Sequence, residues 1–354
     1  MTRVLIARGH QATPWELRQW ERLPGRFDVT YLRTRRNGWD TGAVALAATP
    51  VRTRRDLLPP GRIGDAVALL VGDRYTRGAA AAFARADIVH AEELAYWFSA
   101  DAARRKARDG FALVQTVWET LPLGTAYRRP ASARNRALVL AATDLFLAAT
   151  ERARTALLLE GVDEERVLVC PPGIDTERFA PAPAPAPEEH VLLSPGRLEW
   201  QKGHHDVLRA LALLAREGLR PRLRIVGAGA EEGRLRRHAG ELGVASQGEI
   251  VSVPYDAMPG EMQAASALVL ASQGSATGGF HPFDVPRMFW EEQFGMVFAE
   301  AMAAGLAIVS TTSGAIPEVL AGAGGQGAPR PPAEQARAQA RRPQAPPPRE
   351  PGEK

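Results

Sequence analysis

Cysteine is nearly absent from this 354-residue chain: Cys170 stands alone, which excludes a disulfide framework or a thiolate metal cluster and points to a reducing compartment. A lone thiol of this kind is expected to fill core. No run of 18 apolar residues occurs, so no membrane-spanning helix is expected. The opening MTRVLIARGH has too short an apolar run for a signal peptide and reads as a first strand. The expected location is cytoplasmic. A strong charge imbalance is missing too. The chain carries 44 basic and 40 acidic side chains, net +4, but six of the former and three of the latter fall in residues 321–354. The body before that tail holds 38 basic against 37 acidic side chains, which leaves no footprint for a phosphate backbone and excludes nucleic acid as a partner.

What is present suffices for two cores. Hydrophobic residues make up 45% of the chain, and its length exceeds what one core usually serves, so two domains of roughly 150 residues each are expected. Strand-like runs at 4–7, 27–32, 87–90, 113–117 and 145–149 alternate with helical patterns at 15–23 and 152–160. The alternation restarts with strands at 191–194, 223–226, 250–253, 267–270 and 306–310. Between them lies PPGIDTERFAPAPAPAPEEH, whose repeated Ala-Pro favours an extended connector that cannot continue a helix or an inner strand. Residues 1–170 thus read as one α/β domain, 171–190 as a linker, 191–320 as a second domain and 321–354 as a low-complexity tail. A helix over 205–216 should bury Leu208, Leu211 and Leu214 and leave His204, Asp206, Arg209 and Arg216 to solvent.

The densest chemistry lies at residues 291–311, EEQFGMVFAEAMAAGLAIVST. Two carboxylates, Glu292 and Glu300, flank a Phe294-Gly295 turn that leads into a short apolar helix at 296–304. A helix N-terminus offers free N–H groups and the positive end of its dipole, a preferred place for a phosphate, and glycine permits close backbone approach. The apolar strand that follows suits a doubly wound parallel sheet, with its ligand outside the strand ends. After the strand at 191–194 comes PGRLEWQKGHHDVL, which sets Gly196-Arg197 and Lys202-Gly203 at a strand end and a helix start, where cations meet phosphate. The run Ile225 to Gly229 mimics a dinucleotide fingerprint, but its third glycine is misplaced and Glu231 and Glu232 would repel a pyrophosphate, so it reads as a tight turn.

The spacing Glu-x7-Glu with Phe-Gly between resembles the retaining glycosyltransferases of family 4. The resemblance spans most of residues 1–320 and is strongest over 190–320. It implies the GT-B fold: two doubly wound, Rossmann-like parallel-sheet domains facing a cleft. It also implies a transferase moving a hexose from a nucleotide-diphosphate sugar to a carbohydrate or lipid-linked acceptor, with peripheral membrane association in the latter case. No cofactor beyond that co-substrate is implied. No Asp-x-Asp occurs, in line with a metal-independent route. In this reading Arg197 and Lys202 bind the donor diphosphate, Glu292 the transferred sugar and Glu300 the ribose, while Gly196, Phe294 and Gly295 lend backbone to the donor. Arg197, Lys202 and Glu292 are the expected catalytic group. Loop 312–318 is expected to line the donor pocket, with Glu318 as a helix-start residue rather than a ligand contact.

In the first domain Gly9 takes the place of the family's glycine-rich loop, and His10 beside it is a sugar contact or a surface imidazole. Trp118 stands where relatives carry a histidine; it either stacks on a pyranose or packs in the core. His90 is expected to be satisfied within the fold. After Leu320 the sequence turns to Pro, Ala, Arg and Gly, a composition that cannot bury a core. The family's C-terminal helices are therefore expected to be missing, through a shifted reading frame or a fusion, unless the segment is a natural flexible tail. A chain so shortened could be an impaired nucleotide-sugar binder rather than an enzyme. Sugar-nucleotide epimerases and glycogen-type phosphorylases share the two-domain plan and stand as alternatives.

Overall fold

The computed structural model describes residues 1–321, apart from residues 24, 62–63, 65–66, 69–71, 123–129, 182–189 and 275–289. Part of the linker and nearly all of the low-complexity tail thus lie outside the described residues, and the expectation about the family's C-terminal helices falls on those residues too.

Two sheets organise the chain. The first runs β1 (Thr2–Ile6), β2 (Phe27–Thr34), β3 (Ala47–Thr53), β4 (Tyr75–Arg77), β5 (Ile88–Glu92), β6 (Ala112–Val117), β7 (Leu145–Ala148) and β8 (Val167–Val169), in the order β4-β3-β2-β1-β5-β6-β7-β8. Only the β3–β4 pair is antiparallel. The second sheet is wholly parallel, in the order β11-β10-β9-β12-β13, from β9 (Val191–Pro195), β10 (Arg222–Val226), β11 (Gly248–Val251), β12 (Ala267–Leu270) and β13 (Ala307–Ser310). In both, strand order reverses beside the first strand, between β1 and β5 and between β9 and β12. Ligands of open α/β sheets bind outside the strand ends at such switch points.

Helices α1 (Pro14–Arg18), α2 (Ala79–Arg85), α3 (Trp97–Asp109), α4 (Pro130–Ala142) and α5 (Glu151–Leu159) serve the first sheet, and α6 (His204–Arg216), α7 (Glu232–Glu241), α8 (Met258–Gln263), α9 (Met296–Ala303) and α10 (Ile316–Ala321) the second. Gly295, at φ 76°, begins α9. One core gathers Phe83, Phe98, Leu113 and Phe146; a second gathers Phe179, Leu268, Phe294 and Phe298; a third, on the other face of the second sheet, gathers Leu208, Leu211 and Ile225.

All ten expected strands are present, and β3, β4 and β8 are additional. Pro50 lies inside β3 and half of that strand is open to solvent, so no apolar alternation announces it. Strand β8 has three residues with Leu168 exposed. Helix α1 is shorter than the 15–23 pattern because its amides turn to i→i−3 partners: Trp20 N–H donates to Leu17 O and Glu21 N–H to Arg18 O. The connector is not a plain spacer, since Phe179 is buried in the second core with Ile174 packed against it. Three side chains depart from expectation, Leu214 by being only half-buried. Cys170 is exposed, because it follows a short edge strand. His204 is buried and its Nδ1 lies 2.9 Å from Ser194 Oγ, because α6 starts one residue early, directly after Gly203 at φ 69°.

Candidate active site

Three loops at one end of the second sheet meet at Glu292, which lies in the connection from β12 to α9. From the loop after β9, Lys202 brings its Nζ to 2.9 Å from Oε1 and 2.8 Å from Oε2. After β12, Ser272 Oγ donates to Oε2 at 2.7 Å. After β13, Ser313 Oγ accepts from the Glu292 amide at 3.1 Å and Ala315 N–H donates to its carbonyl at 2.9 Å. Both charged side chains are largely withdrawn from water, at 14% and 5% exposed, so their attraction is weakly screened. The Lys202 ammonium also sits 5.1 Å from the Trp290 ring centroid. A buried cation and anion at the switch point, beside the start of α9, can polarise a bound anion or a developing charge.

The other expected donor residues are placed differently. Arg197, on the same loop as Lys202, is 56% exposed and pairs with Glu199 at 2.8 Å. The Gly196 amide donates to Val226 O, and Gly227 packs so tightly on Gly196 that a Cβ would fall 1.9 Å from its carbonyl oxygen. The 225–229 run is thus a turn locked to the Arg197 loop. Phe294 is buried and meets Trp118 edge-on at 6.0 Å. At Gly295 a Cβ would lie 2.5 Å from the Phe298 ring, so the helix's own aromatic demands glycine there. Glu300, on α9 and 2% exposed, accepts a 2.7 Å hydrogen bond from Tyr255 OH; burial pushes its carboxyl up to about 7 against that bond.

Facing these loops are the strand ends of the first sheet. Gly9, at φ 57°, gives its N–H to Tyr75 OH at 2.9 Å and packs on Trp97 and Phe98. His10 accepts from Trp97 Nε1 at 3.3 Å and stacks on its ring. The Trp118 amide donates to Glu93 Oε1, while its buried indole Nε1 has no hydrogen-bond partner. His90 is buried, contacts Thr116 Oγ1 at 2.8 Å and is held neutral by desolvation.

Several neighbours gave no motif. Glu93 has φ 58°, a conformation that side chains other than glycine rarely adopt outside functional sites; burial and the nearby Glu119 and Glu92 push its carboxyl up to about 8. Arg8 is buried against Glu92 at 3.2 Å. Glu318 begins its own helix but reaches across to the first sheet's helices, accepting from the Glu151 and Arg152 amides at 2.6 and 3.3 Å. Arg152 in turn pairs with Glu291. Of these, only Glu291 and Glu318 lie in segments that the sequence singles out, 291–311 and 312–318.

Among the described residues, no helix is long and apolar enough to cross a membrane. Residues 175–342 match the model for glycosyl transferases group 1 and residues 2–178 that for glycosyltransferase family 4. Among curated relatives, an Escherichia coli K12 protein assigned to colanic acid biosynthesis as the glycosyltransferase WcaL is 30% identical over 182 residues, half of this chain and 41% of that one. The GDP-mannose-dependent α-(1-6)-phosphatidylinositol monomannoside mannosyltransferase of Mycolicibacterium smegmatis is 34% identical over 160 residues, 42% of this chain and 39% of that one. The chain thus spans about two fifths of the length of these relatives. Among solved structures, HepE of Anabaena with bound UDP superposes with a TM-score of 0.63 at 18% identity, covering 90% of this chain and 82% of that one. WaaG, a glycosyltransferase of lipopolysaccharide biosynthesis, does so at 0.58 and 17%, covering 90% and 83%. The two parallel sheets and these neighbours establish the GT-B fold, and with a family model matched across its first half the chain belongs to the family 4, group 1 glycosyltransferases.

Proposed function

We propose that the protein is a retaining, metal-independent glycosyltransferase that moves a hexose from a nucleotide-diphosphate sugar to a hydroxyl of a carbohydrate or lipid-linked acceptor. The observation that carries this reading is the buried Lys202–Glu292 pair beside the start of α9. In same-face attack the bond from the anomeric carbon to the phosphate oxygen breaks as the acceptor oxygen bonds to that carbon. The acceptor proton passes to the departing phosphate. Lys202 donates to both oxygens of Glu292 and keeps its third donor for that phosphate, and Arg197 needs only to leave Glu199 to join it. The free amides of α9 favour the same charge. Glu292 then faces the sugar and Glu300 the ribose. A lipid-linked acceptor would bring the protein to a membrane surface.

The complexes of HepE with UDP and glucose and the GDP-mannose dependence in the name of the mycobacterial relative make UDP- and GDP-sugars the first donors to test. Nucleotide release from a panel of both, with the anomeric configuration of any product read by NMR, tests the proposal. An inverted product overturns retention. Failure to bind UDP or GDP overturns the donor site.

A further inference from the structure

A cavity of about 420 Å³ opens between α1 with its following turn, the ends of β1, β5, β6 and β7, and the connector from Cys170 to Asp175. Its volume is within the range of small-molecule sites, about 300–1,000 Å³. Met296 and Tyr255 of the second domain also line it, and Trp118 on its wall meets Phe294, two residues from Glu292. Resting on the transferase reading, we infer that this cavity is a subsite for one uncharged pyranose ring of the acceptor.

The walls argue for that chemistry. Trp15, Trp20 and Trp118 all line the space, and indole faces suit the apolar face of a sugar ring. Trp20 is fixed by the His90 ring at 4.8 Å and Trp15 by Tyr255 at 5.4 Å. Polar groups converge from the sheet: Arg8, His90 and Thr116. Among them are unspent donors, since Arg8 is 4% exposed and its Nη1, like Trp118 Nε1, lacks a hydrogen-bond partner. Buried donors of this kind call for oxygen acceptors, which ring and hydroxyl oxygens supply.

The charges argue against an anion. Arg8 pairs with Glu92 at 3.2 Å and approaches Glu16 at 3.8 Å. Arg18 and Arg178 share Asp256 at 3.0 and 2.6 Å, and Arg22 reaches Asp175 and Glu177 at 3.2 and 3.0 Å. Each of these cations already has its carboxylate, so a phosphorylated or carboxylated sugar finds no uncompensated charge here.

Cys170 is the chain's single cysteine, is exposed, and lines the cavity, which makes it a reporter in the unaltered protein. The full chain is alkylated with N-ethylmaleimide in the presence of the methyl α-glycosides of glucose, mannose and galactose, each titrated to about 100 mM, well above the millimolar range of weak binding. At four times its Kd a glycoside leaves about one fifth of the cavities open, so alkylation slows about fivefold. We expect at least one of the three to reach that slowing and glucose 6-phosphate not to. The Trp20→Ala protein should lose the protection and Trp20→Phe keep it. Slowing below fivefold by all three, equal slowing by glucose 6-phosphate, or protection that survives Trp20→Ala overturns the assignment. UDP and GDP affinity, read separately by calorimetry, reports on the donor site alone, so its absence fails the transferase reading while protection of Cys170 would still stand.

Discussion

Lys202 lies 2.8 Å from one oxygen of Glu292 and 2.9 Å from the other, two residues 90 positions apart that close the end of the second sheet. Removing either should cost turnover: Lys202→Ala and Glu292→Ala are each expected to lower transfer by about two orders of magnitude, the usual loss for one electrostatic contact in a transition state. They should differ in stability. Lys202→Ala strands a buried carboxylate with only Ser272 as side-chain donor, a change that costs about 3 kcal/mol or more. Initial rates with a UDP- or GDP-sugar and urea unfolding of the same samples check both halves, and wild-type rates in the two variants would remove the pair from the chemistry.

Glu300 carries a pH dependence whose sign is fixed. Burial raises its folded-state carboxyl to about 7 from an ordinary value near 4.5, against the lowering bond from Tyr255. The folded state therefore binds the extra proton between those values, and stability falls as pH rises through that window. The loss is on the order of 3 kcal/mol for a shift of this size. Glu300→Gln should flatten the fall in unfolding free energy between pH 5 and 8 relative to the wild type, whereas Tyr255→Phe, lacking the bond, should extend it to higher pH. If Glu300 holds the ribose, donor affinity moves the opposite way, tightening as the carboxylate ionises above pH 7. Urea titrations at several pH values, with calorimetry of the donor, read the two effects apart.

The sheets and the Glu292 loop were legible because each is encoded locally. Apolar runs such as Val191 to Leu193 announce inner strands, and a glycine at 295 announces a helix start. The unread parts depend on distant partners. Nothing near Tyr255 tells that its hydroxyl meets Glu300, and nothing near Trp118 tells that its ring meets Phe294 edge-on. Arg197 shows the converse: a cation at the expected place is spent on Glu199, two residues away, an interaction the sequence contains but cannot weigh against a ligand. The cavity beneath α1 was equally silent, since a void has no residues of its own.

Glu318 ties the two sheets together by capping a helix that is not its own. Its carboxylate takes the first two amides of α5, 167 and 166 residues away, and Arg152 of that helix turns back to Glu291. Glu318→Ala frees those amides, a loss of about 1 kcal/mol by the measure of helix caps, and loosens the contact between the halves. The expected readout is a larger radius of gyration by small-angle scattering, with Glu318→Gln intermediate. An unchanged radius in Glu318→Ala would mean that other contacts alone hold the halves closed.

Gly314 offers the sharpest steric test of the site. It has φ 54°, and a Cβ there would stand 2.0 Å from the Glu292 carbonyl oxygen and 2.8 Å from its amide nitrogen. The neighbour is backbone and cannot rotate away, so Gly314→Ala must push the Glu292 segment out and break the Ala315 and Ser313 bonds that hold it. Gly305 is the control, because it shares the positive φ, at 70°, but an added Cβ would meet only Pro181, at 3.6 Å. Its replacement by alanine should cost about 1 kcal/mol, the backbone penalty alone. Gly314→Ala should cost more than that and also abolish donor binding in calorimetry, while Gly305→Ala leaves donor affinity unchanged. Equal behaviour of the two variants would show that the Glu292 loop can yield, and that its position is not what the donor reads.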